Sequence, residues 1–175
     1  SGNCMSMLFG DEAESNLDLT GNDNAFAILF SHCTTLKSIS ANFLPATTLA
    51  RGCYNSMFQN CTGLTTAPEL PATTLANNCY ESMFHGCIGL KTAPELPATT
   101  LTNNCYQHMF YGCSKLNYIK AMFTTTPGLS YTNYWVYGVA STGTFVKNAA
   151  ATWNVTGVNG VPSGWTITTE TGGGE

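Results

Sequence analysis

A repeat of 26 residues constrains the fold of this chain more than any other feature of its sequence. Segment 70–95 matches the preceding segment, 44–69, at 19 positions and the following segment, 96–121, at 15. A period between about 20 and 50 residues with this fidelity is typical of repeat architectures. In such folds a unit buries its apolar side chains only by stacking on its neighbours, so we expect the repeats to form a solenoid.

Three kinds of backbone are predicted within one unit. Residues 79–87 carry apolar side chains at positions i, i+1, i+4, i+5 and i+8, a pattern that favours a helix of about two turns. Residues 90–93 are typical of a short strand, because Pro94 cannot donate to a ladder and disfavours helix before it. Residues 96–101 are expected to be extended, with both leucines inward. The unit is therefore strand, extended corner and short helix, and the fold class is α/β.

The repeats predict a division of the chain into three parts. About five coils, of which the first is divergent, occupy residues 1–123. Residues 124–171 hold all three tryptophans and are expected to cap the last coil, since large aromatic side chains cover it well. Within this cap we predict a short helix at 131–136 and strands at 143–147 and 164–167. The tail, 172–175, is expected to be disordered.

The composition excludes several classes of protein. Charged residues make up 9% of the chain, against about 25% in typical proteins. The six lysines and arginines are scattered, whereas a nucleic-acid-binding protein needs a basic patch. No apolar run reaches the roughly 18 residues that span a bilayer, so we expect no membrane insertion by this segment. No signal peptide is visible, and we expect the chain to begin inside a larger exported precursor.

The repeat motif resembles that of a known family. The pattern Cys-Tyr-x-x-Met-Phe-x-x-Cys-x-x-Leu-x-x-Ala-Pro-x-Leu-Pro-Ala-Thr-Thr-Leu is similar to the BspA-like leucine-rich repeats of Bacteroides-type surface proteins. The segments 143–147 and 160–166 look like the cap that often follows those repeats. The resemblance implies a leucine-rich-repeat solenoid in a secreted or cell-surface protein, with adhesive or protein-binding roles. It supplies no catalytic residues.

The eight cysteines raise the question of disulfides. The two cysteines of one unit lie about 12 Å apart along the predicted helix, and helices of adjacent coils pack at about 8–10 Å. Both separations exceed the limit of about 7 Å for the Cα atoms of a disulfide. We therefore expect unpaired core thiols and no disulfide. Metal binding is not expected either, because Cys-x7-Cys is not a zinc spacing.

Residues suited to catalysis or cofactor binding are sparse. The sequence has no phosphate loop, no dinucleotide fingerprint and no nucleophile–base pair, so we expect no enzymatic activity and no cofactor. Glu69 and Glu95 occupy equivalent positions in adjacent units, and we interpret them as solvated turn residues rather than a hydrolase pair. The acidic stretch 11–23 lacks the spacing of an EF-hand; a solvated loop is the first interpretation and calcium binding the weaker one.

The positions that vary within the repeat are the candidates for binding. On the strand side, two rows of outward positions are predicted to stack into short ladders. The first row is Lys37, Thr65, Lys91 and Asn117, and the second is Ser38, Thr66, Thr92 and Tyr118. Repeat proteins use such a face for extended protein contacts, although ordinary surface is an equal alternative. On the helix side, the positions that vary in the same way are Gln59, His85 and Tyr111.

These features predict a non-enzymatic module for protein binding or adhesion, secreted or on a cell surface, that acts through its strand side. Its partner is expected to be an extracellular protein or glycan, for example from a host, and the module itself a monomer. One alternative is a structural spacer for an upstream domain, which would lack a ligand-sized groove and a clustered aromatic patch. Another is glycan binding by exposed Tyr or Trp, which fails if Trp135, Trp153 and Trp165 are all buried.

Overall fold

The computed structural model describes residues 3–13 and 15–170; the tail predicted to be disordered, 172–175, lies outside them. Regular secondary structure is limited in this part of the chain. One α-helix, α1, and two single-turn 3-10 helices lie at Ser6–Phe9, Gly10–Glu12 and Ala41–Phe43. The strands β1, β2 and β3 are Tyr118–Ala121, Thr144–Asn148 and Thr166–Glu170. They form one parallel sheet in the order β1-β2-β3.

The predicted fold class is wrong. An α/β leucine-rich-repeat solenoid of strand, extended corner and short helix requires a helix in every unit. The described residues contain a single α-helix of four residues, and it lies outside the repeats at 44–121. Regular strands are confined to the three-stranded sheet, and elsewhere the repeats contribute only isolated bridges. The structure therefore combines an open parallel sheet, one short helix and an aromatic core.

The segments predicted as helices form a series of turns instead. In the first repeat, the N–H groups of Asn55 and Met57 donate to carbonyls three residues back, at 3.0 and 3.2 Å. The N–H groups that alternate with these two, on Tyr54, Ser56 and Phe58, donate to carbonyls of the next repeat at 3.0, 2.8 and 2.9 Å. An α-helix directs each N–H after its first turn to the carbonyl four residues back, so this alternation excludes it. Equivalent turns of consecutive repeats therefore bond directly to each other.

Left-handed residues explain why the apolar spacing of a helix occurs here without a helix. Asn78, Ser82 and Gly86 have φ angles of 61°, 55° and 72°, so every fourth residue of this turn series is left-handed. Such a residue cannot continue a right-handed helix, but the four-residue interval keeps the apolar side chains on one side. Glycine also suits residue 86 sterically, because a Cβ there would force the Asn60 side chain to move.

The core consists of columns of aromatic rings that run across the repeats. The rings of Phe30, Phe58, Phe84 and Phe110 are stacked at centroid distances of 5.6, 5.6 and 5.8 Å. A second column contains Phe26, Tyr54, Tyr80 and Tyr106 at 5.8, 5.8 and 6.0 Å. Buried cysteines, methionines and leucines fill the space beside the rings. The two leucines of 96–101 are buried, as predicted.

The C-terminal segment covers the last of these rings with its tryptophans. Trp135 lies 6.2 Å from Tyr106 and from Phe110, and its indole N–H donates to the Gly160 carbonyl at 2.9 Å. Both strands predicted here are present: β2 lies one residue later than predicted, and β3 begins two residues later and extends to Glu170. The helix predicted at 131–136 is wrong, because these residues form turns. Their carbonyls accept N–H groups of the preceding repeat, so the alternating pattern continues beyond residue 123.

Candidate functional site

The strand-side candidates lie next to one another on one surface of the structure. Thr65 donates its N–H and its hydroxyl to the Lys37 carbonyl, at 2.9 and 3.1 Å. Asn117 donates its N–H to the Lys91 carbonyl at 2.9 Å. In the second row, bridges join Ser38 to Thr66 and Thr92 to Tyr118. We call the surface formed by these eight residues the strand face: Lys37, Ser38, Thr65, Thr66, Lys91, Thr92, Asn117 and Tyr118.

The strand face offers polar side chains to solvent. Seven of its eight residues are exposed, and Tyr118 is half-buried. Tyr118 is also the first residue of β1, so the second row continues through its partner Thr144 on β2 to Thr166 on β3. The structure thus brings the predicted binding residues together in an order set by the backbone pairing. They form a narrow polar strip in which Lys37 and Lys91 are the charged residues.

A groove borders the strand face where the chain turns away from it. The groove has a volume of about 490 Å³. It is lined by the extended corners of two repeats: Ala67, Pro68, Glu69, Leu70, Pro71, Pro94, Glu95 and Pro97. We call it the corner groove. Proline has no N–H to donate, so corners with two prolines each cannot close on one another through a regular ladder.

A local shift of register brings Lys120 to the edge of this groove. Thr92 pairs with Tyr118, 26 residues later, but Leu96 pairs with Ala121, only 25 later. The corner of the second repeat therefore carries one residue more than β1, which is the arrangement of a β-bulge. As a result Glu95 lies beside Lys120, with its carboxylate 3.3 Å from Nζ.

Lys120 bridges two carboxylates. Its Nζ lies 2.6 Å from Glu170 at the end of β3, in addition to the 3.3 Å contact with Glu95. The hydrogen bond to Glu170 raises the pKa of Lys120, and Glu95 raises it further. Glu69, the equivalent of Glu95 in the preceding repeat, is exposed. Within residues 3–13 and 15–170 both ion pairs are made by Lys120, and neither reaches Glu69.

A second surface, on the turn side, carries five aromatic side chains that touch one another. His85, Tyr111 and Tyr137 stack in a column with centroids 4.8 Å apart at each step. His108 and Tyr134 form a second column at 6.2 Å, in edge contact with the first. Tyr134 and Tyr137 are exposed and the other three are half-buried. Burial lowers the pKa of His85, and the neighbouring His108 lowers it further.

We call these five residues the turn face, and the sequence indicated only part of it. His85 and Tyr111 are among the variable positions predicted for the helix side, whereas Tyr134 lies in the segment predicted as a helix of the cap and Tyr137 lies just after that segment. The missed signal is the repeat interval itself. Adding 26 to residues 108 and 111 leads to Tyr134 and Tyr137, although few other residues match after 123.

Seven of the eight cysteines are buried, and Cys33 is exposed. Burial raises the pKa of Cys105 to about 11 and that of Cys53 and of Cys113 to about 12. The part of the distance argument that concerns adjacent repeats is wrong, because these repeats are hydrogen-bonded, as neighbouring strands are at about 4.8 Å, and are not spaced as packed helices. The thiols of Cys87 and Cys113 instead donate to carbonyls of the preceding repeat, at 3.1 and 3.0 Å.

Three other kinds of function were considered from the sequence: glycan binding by tryptophan, metal binding and membrane insertion. Trp135, Trp153 and Trp165 are all buried. In the described part of the chain, no three side chains of the His, Cys, Asp and Glu types are grouped to hold a metal ion. No helix in that part has both the length and the hydropathy to cross a bilayer.

Comparison of the chain with protein-family models, with curated proteins and with solved structures finds no match. The resemblance to BspA-like repeats therefore stays a prediction from the repeat motif.

Proposed function

We propose that the chain is a non-enzymatic binding or adhesion module of a secreted or cell-surface protein, and that it contacts an extracellular protein through the strand face. The observation that carries this proposal is the exposed, backbone-ordered strip of Lys37, Thr65, Lys91 and Asn117 beside a groove of about 490 Å³. The backbone that carries these side chains is already held by hydrogen bonds, so it loses little conformational entropy on binding, which favours an extended contact.

Two further observations favour binding over the role of a structural spacer. A spacer would present neither a ligand-sized groove nor a cluster of aromatic side chains. The corner groove falls within the range of about 300–1,000 Å³ that is typical of ligand pockets. The turn face supplies the aromatic cluster, with three tyrosines of the kind that are enriched at protein interfaces.

Glycan binding is the second candidate function, and the turn face is the observation in its favour. The tryptophans offer no platform for a sugar because they are buried. Tyr134 and Tyr137, by contrast, are 44% and 45% exposed and lie 5.9 Å apart. Tyrosine combines an apolar ring with a hydroxyl that donates and accepts hydrogen bonds, as a neutral sugar requires. A glycan would therefore use a different surface from a protein bound at the strand face.

The experiment is a binding screen with purified components. The chain is passed over immobilised extracellular-matrix proteins and over a glycan array, and saturable binding is measured. Three variants separate the surfaces: Lys37→Ala/Lys91→Ala on the strand face, Tyr134→Ala/Tyr137→Ala on the turn face, and Arg51→Ala as a control that removes a positive charge elsewhere. Arg51 is exposed and belongs to neither face.

The expected result is saturable binding to a protein that weakens at least about tenfold, or 1.4 kcal/mol, in the lysine variant alone. Loss only in the tyrosine variant, with a glycan as ligand, would support the second candidate instead. Equal losses in the lysine variant and in Arg51→Ala would show that general charge, rather than the strand face, is responsible. Absence of saturable binding across the panel would contradict the proposal.

A further inference from the structure

The polar groups that line the corner groove are mostly hydrogen-bond acceptors. Four of its eight lining residues are prolines, which have carbonyl groups but no N–H. The N–H of Glu69 is already used, because it donates to the Ala41 carbonyl at 3.0 Å. The side-chain oxygens of Glu69 and Glu95 are acceptors when ionised. A ligand that satisfies this groove must therefore bring donors.

The charge at the groove is also unbalanced. Glu69 and Glu95 place two carboxylates at equivalent positions of adjacent repeats. Lys120 neutralises one of them at most, since it is shared between Glu95 and Glu170 and lies within 4 Å of both. Glu69 receives no ion pair from the described residues. The chain as a whole has a net charge of −4, which favours the approach of cations over that of anions.

The geometry points to an arginine or lysine side chain of a partner protein as the occupant of the corner groove. Its aliphatic stem would lie on the rings of Pro68, Pro71, Pro94 and Pro97, and its charged head would lie between Glu69 and Glu95. Long cationic side chains commonly bury their stems on apolar surface while the head stays at a polar rim. This inference rests on the proposed function and names the partner's chemistry at the edge of the strand face.

Lys120 is a cation of this chain at the corresponding place in the next repeat. Its stem comes from β1, and its head meets Glu95 at 3.3 Å. It therefore competes with an external cation for Glu95, while Glu69 has no such competitor among the described residues. Removing the Lys120 charge should strengthen binding of a cationic ligand, and removing the Glu69 charge should weaken it. The two changes at this groove should therefore shift the affinity for a cationic ligand in opposite directions.

The test is an NMR titration of the whole chain, labelled with ¹⁵N, with two blocked tripeptides, Ala-Arg-Ala and Ala-norleucine-Ala. The arginine peptide should shift the amide signals of Glu69, Leu70 and Glu95 with an affinity of about millimolar strength. The norleucine peptide, which has the stem without the charge, should bind several times more weakly. Glu69→Gln should weaken the arginine peptide about three- to fivefold, as expected for an exposed ion pair.

Three variants make the result decisive. Lys120→Met should tighten binding of the arginine peptide, and Glu12→Gln, a change at an exposed carboxylate away from the groove, should leave it unchanged. Equal binding of both tripeptides, shifts that are not confined to the groove, or no effect of Glu69→Gln would overturn the inference. The strand-face variant Lys37→Ala/Lys91→Ala should keep its tripeptide affinity. If the arginine peptide does not bind but a protein partner does, the inference about the groove fails and the proposed function stands. If the arginine peptide binds but no protein or glycan does, the proposed function fails although the groove still takes a cation.

Discussion

The phenyl rings of Phe58 and Phe84 lie nearly parallel, with their planes 12° apart and their centroids at 5.6 Å. Phe84 makes the same kind of contact on its other side, with Phe110 at 5.8 Å. It is completely buried, so both faces of the ring are covered by neighbouring repeats. Adjacent repeats are therefore held together by stacked aromatic rings in the core and by hydrogen bonds between their backbones.

Replacing Phe84 should be costly because the cavity would open between two repeats. We expect Phe84→Ala to lower the free energy of unfolding by about 3–5 kcal/mol, as for other buried aromatic side chains. Gln59→Ala, a partly exposed position on the turn side, should change it by less than about 0.5 kcal/mol. Urea denaturation measures both. A loss below about 1 kcal/mol for Phe84→Ala would show that the ring is not part of the core.

Ser82 should tolerate glycine but not valine. Its φ angle of 55° lies in the left-handed region, which glycine adopts freely and β-branched residues adopt rarely. We expect Ser82→Val to destabilise the chain by about 1–3 kcal/mol. Ser82→Gly should stay within about 1 kcal/mol of the parent, because relief of strain offsets the added flexibility of the unfolded chain. Thermal unfolding of the two variants checks the order; equal stabilities would mean that residue 82 is not left-handed in solution.

The cysteines should differ sharply in reactivity. Cys33 is exposed, whereas the other seven thiols are buried. Because the thiolate is the reactive form and burial raises the pKa of thiols such as Cys105 to about 11, we expect one rapidly reacting thiol at pH 8 in the native protein. Ellman's reagent measures this, and Cys33→Ser should abolish the rapid phase. Denaturant without reductant should release eight thiols, and a count below six would contradict the expectation of unpaired cysteines.

Stability should fall as the pH rises above about 9, the ordinary pKa of a thiol in the unfolded chain. Burial raises the pKa of Cys105 to about 11 and that of Cys113 to about 12. Between pH 9 and the folded-state pKa of each thiol, the unfolded state therefore loses a proton that the folded state keeps. Each such thiol lowers the free energy of unfolding by about 1.4 kcal/mol per pH unit, and below pH 9 its contribution is fully present.

Denaturation with urea at pH 8, 9 and 10, under reducing conditions, measures this slope. The variant Cys105→Ala should show a slope that is smaller by one thiol's share, whatever its stability at pH 8. A slope that does not change in the variant would indicate that Cys105 titrates equally in both states.

The repeat interval predicted which side chains are buried more successfully than it predicted the backbone between them. The shared residues Cys79, Met83 and Phe84 are buried, and the variable residues Glu81 and His85 are not. The spacing of apolar residues could not distinguish a helix from the observed turns, since both place every fourth residue on one side. The two structures differ in the carbonyl that accepts every second N–H group. In this chain that carbonyl lies 25 or more residues away, where a local pattern gives no information about it.

The candidate sites were predictable to different degrees. Adjacency of Lys37 and Thr65, or of Lys91 and Asn117, follows directly from equivalent positions in stacked units. The position of Lys120 at the edge of the corner groove does not, because it depends on the one-residue shift by which Leu96 pairs with Ala121. The shift occurs where the third repeat loses the Ala-Pro-Glu sequence, but that loss does not by itself indicate which residue pairs with Leu96.

The tyrosine column has an optical consequence. Tyr54, Tyr80 and Tyr106 follow one another at 5.8 and 6.0 Å, and Tyr106 lies 6.2 Å from Trp135. Excitation absorbed by tyrosine passes to tryptophan efficiently at such separations, because tyrosine emission overlaps tryptophan absorption. Fluorescence from Trp135 thus reports on rings several repeats away, and the separation of any one repeat would be seen as the return of tyrosine emission.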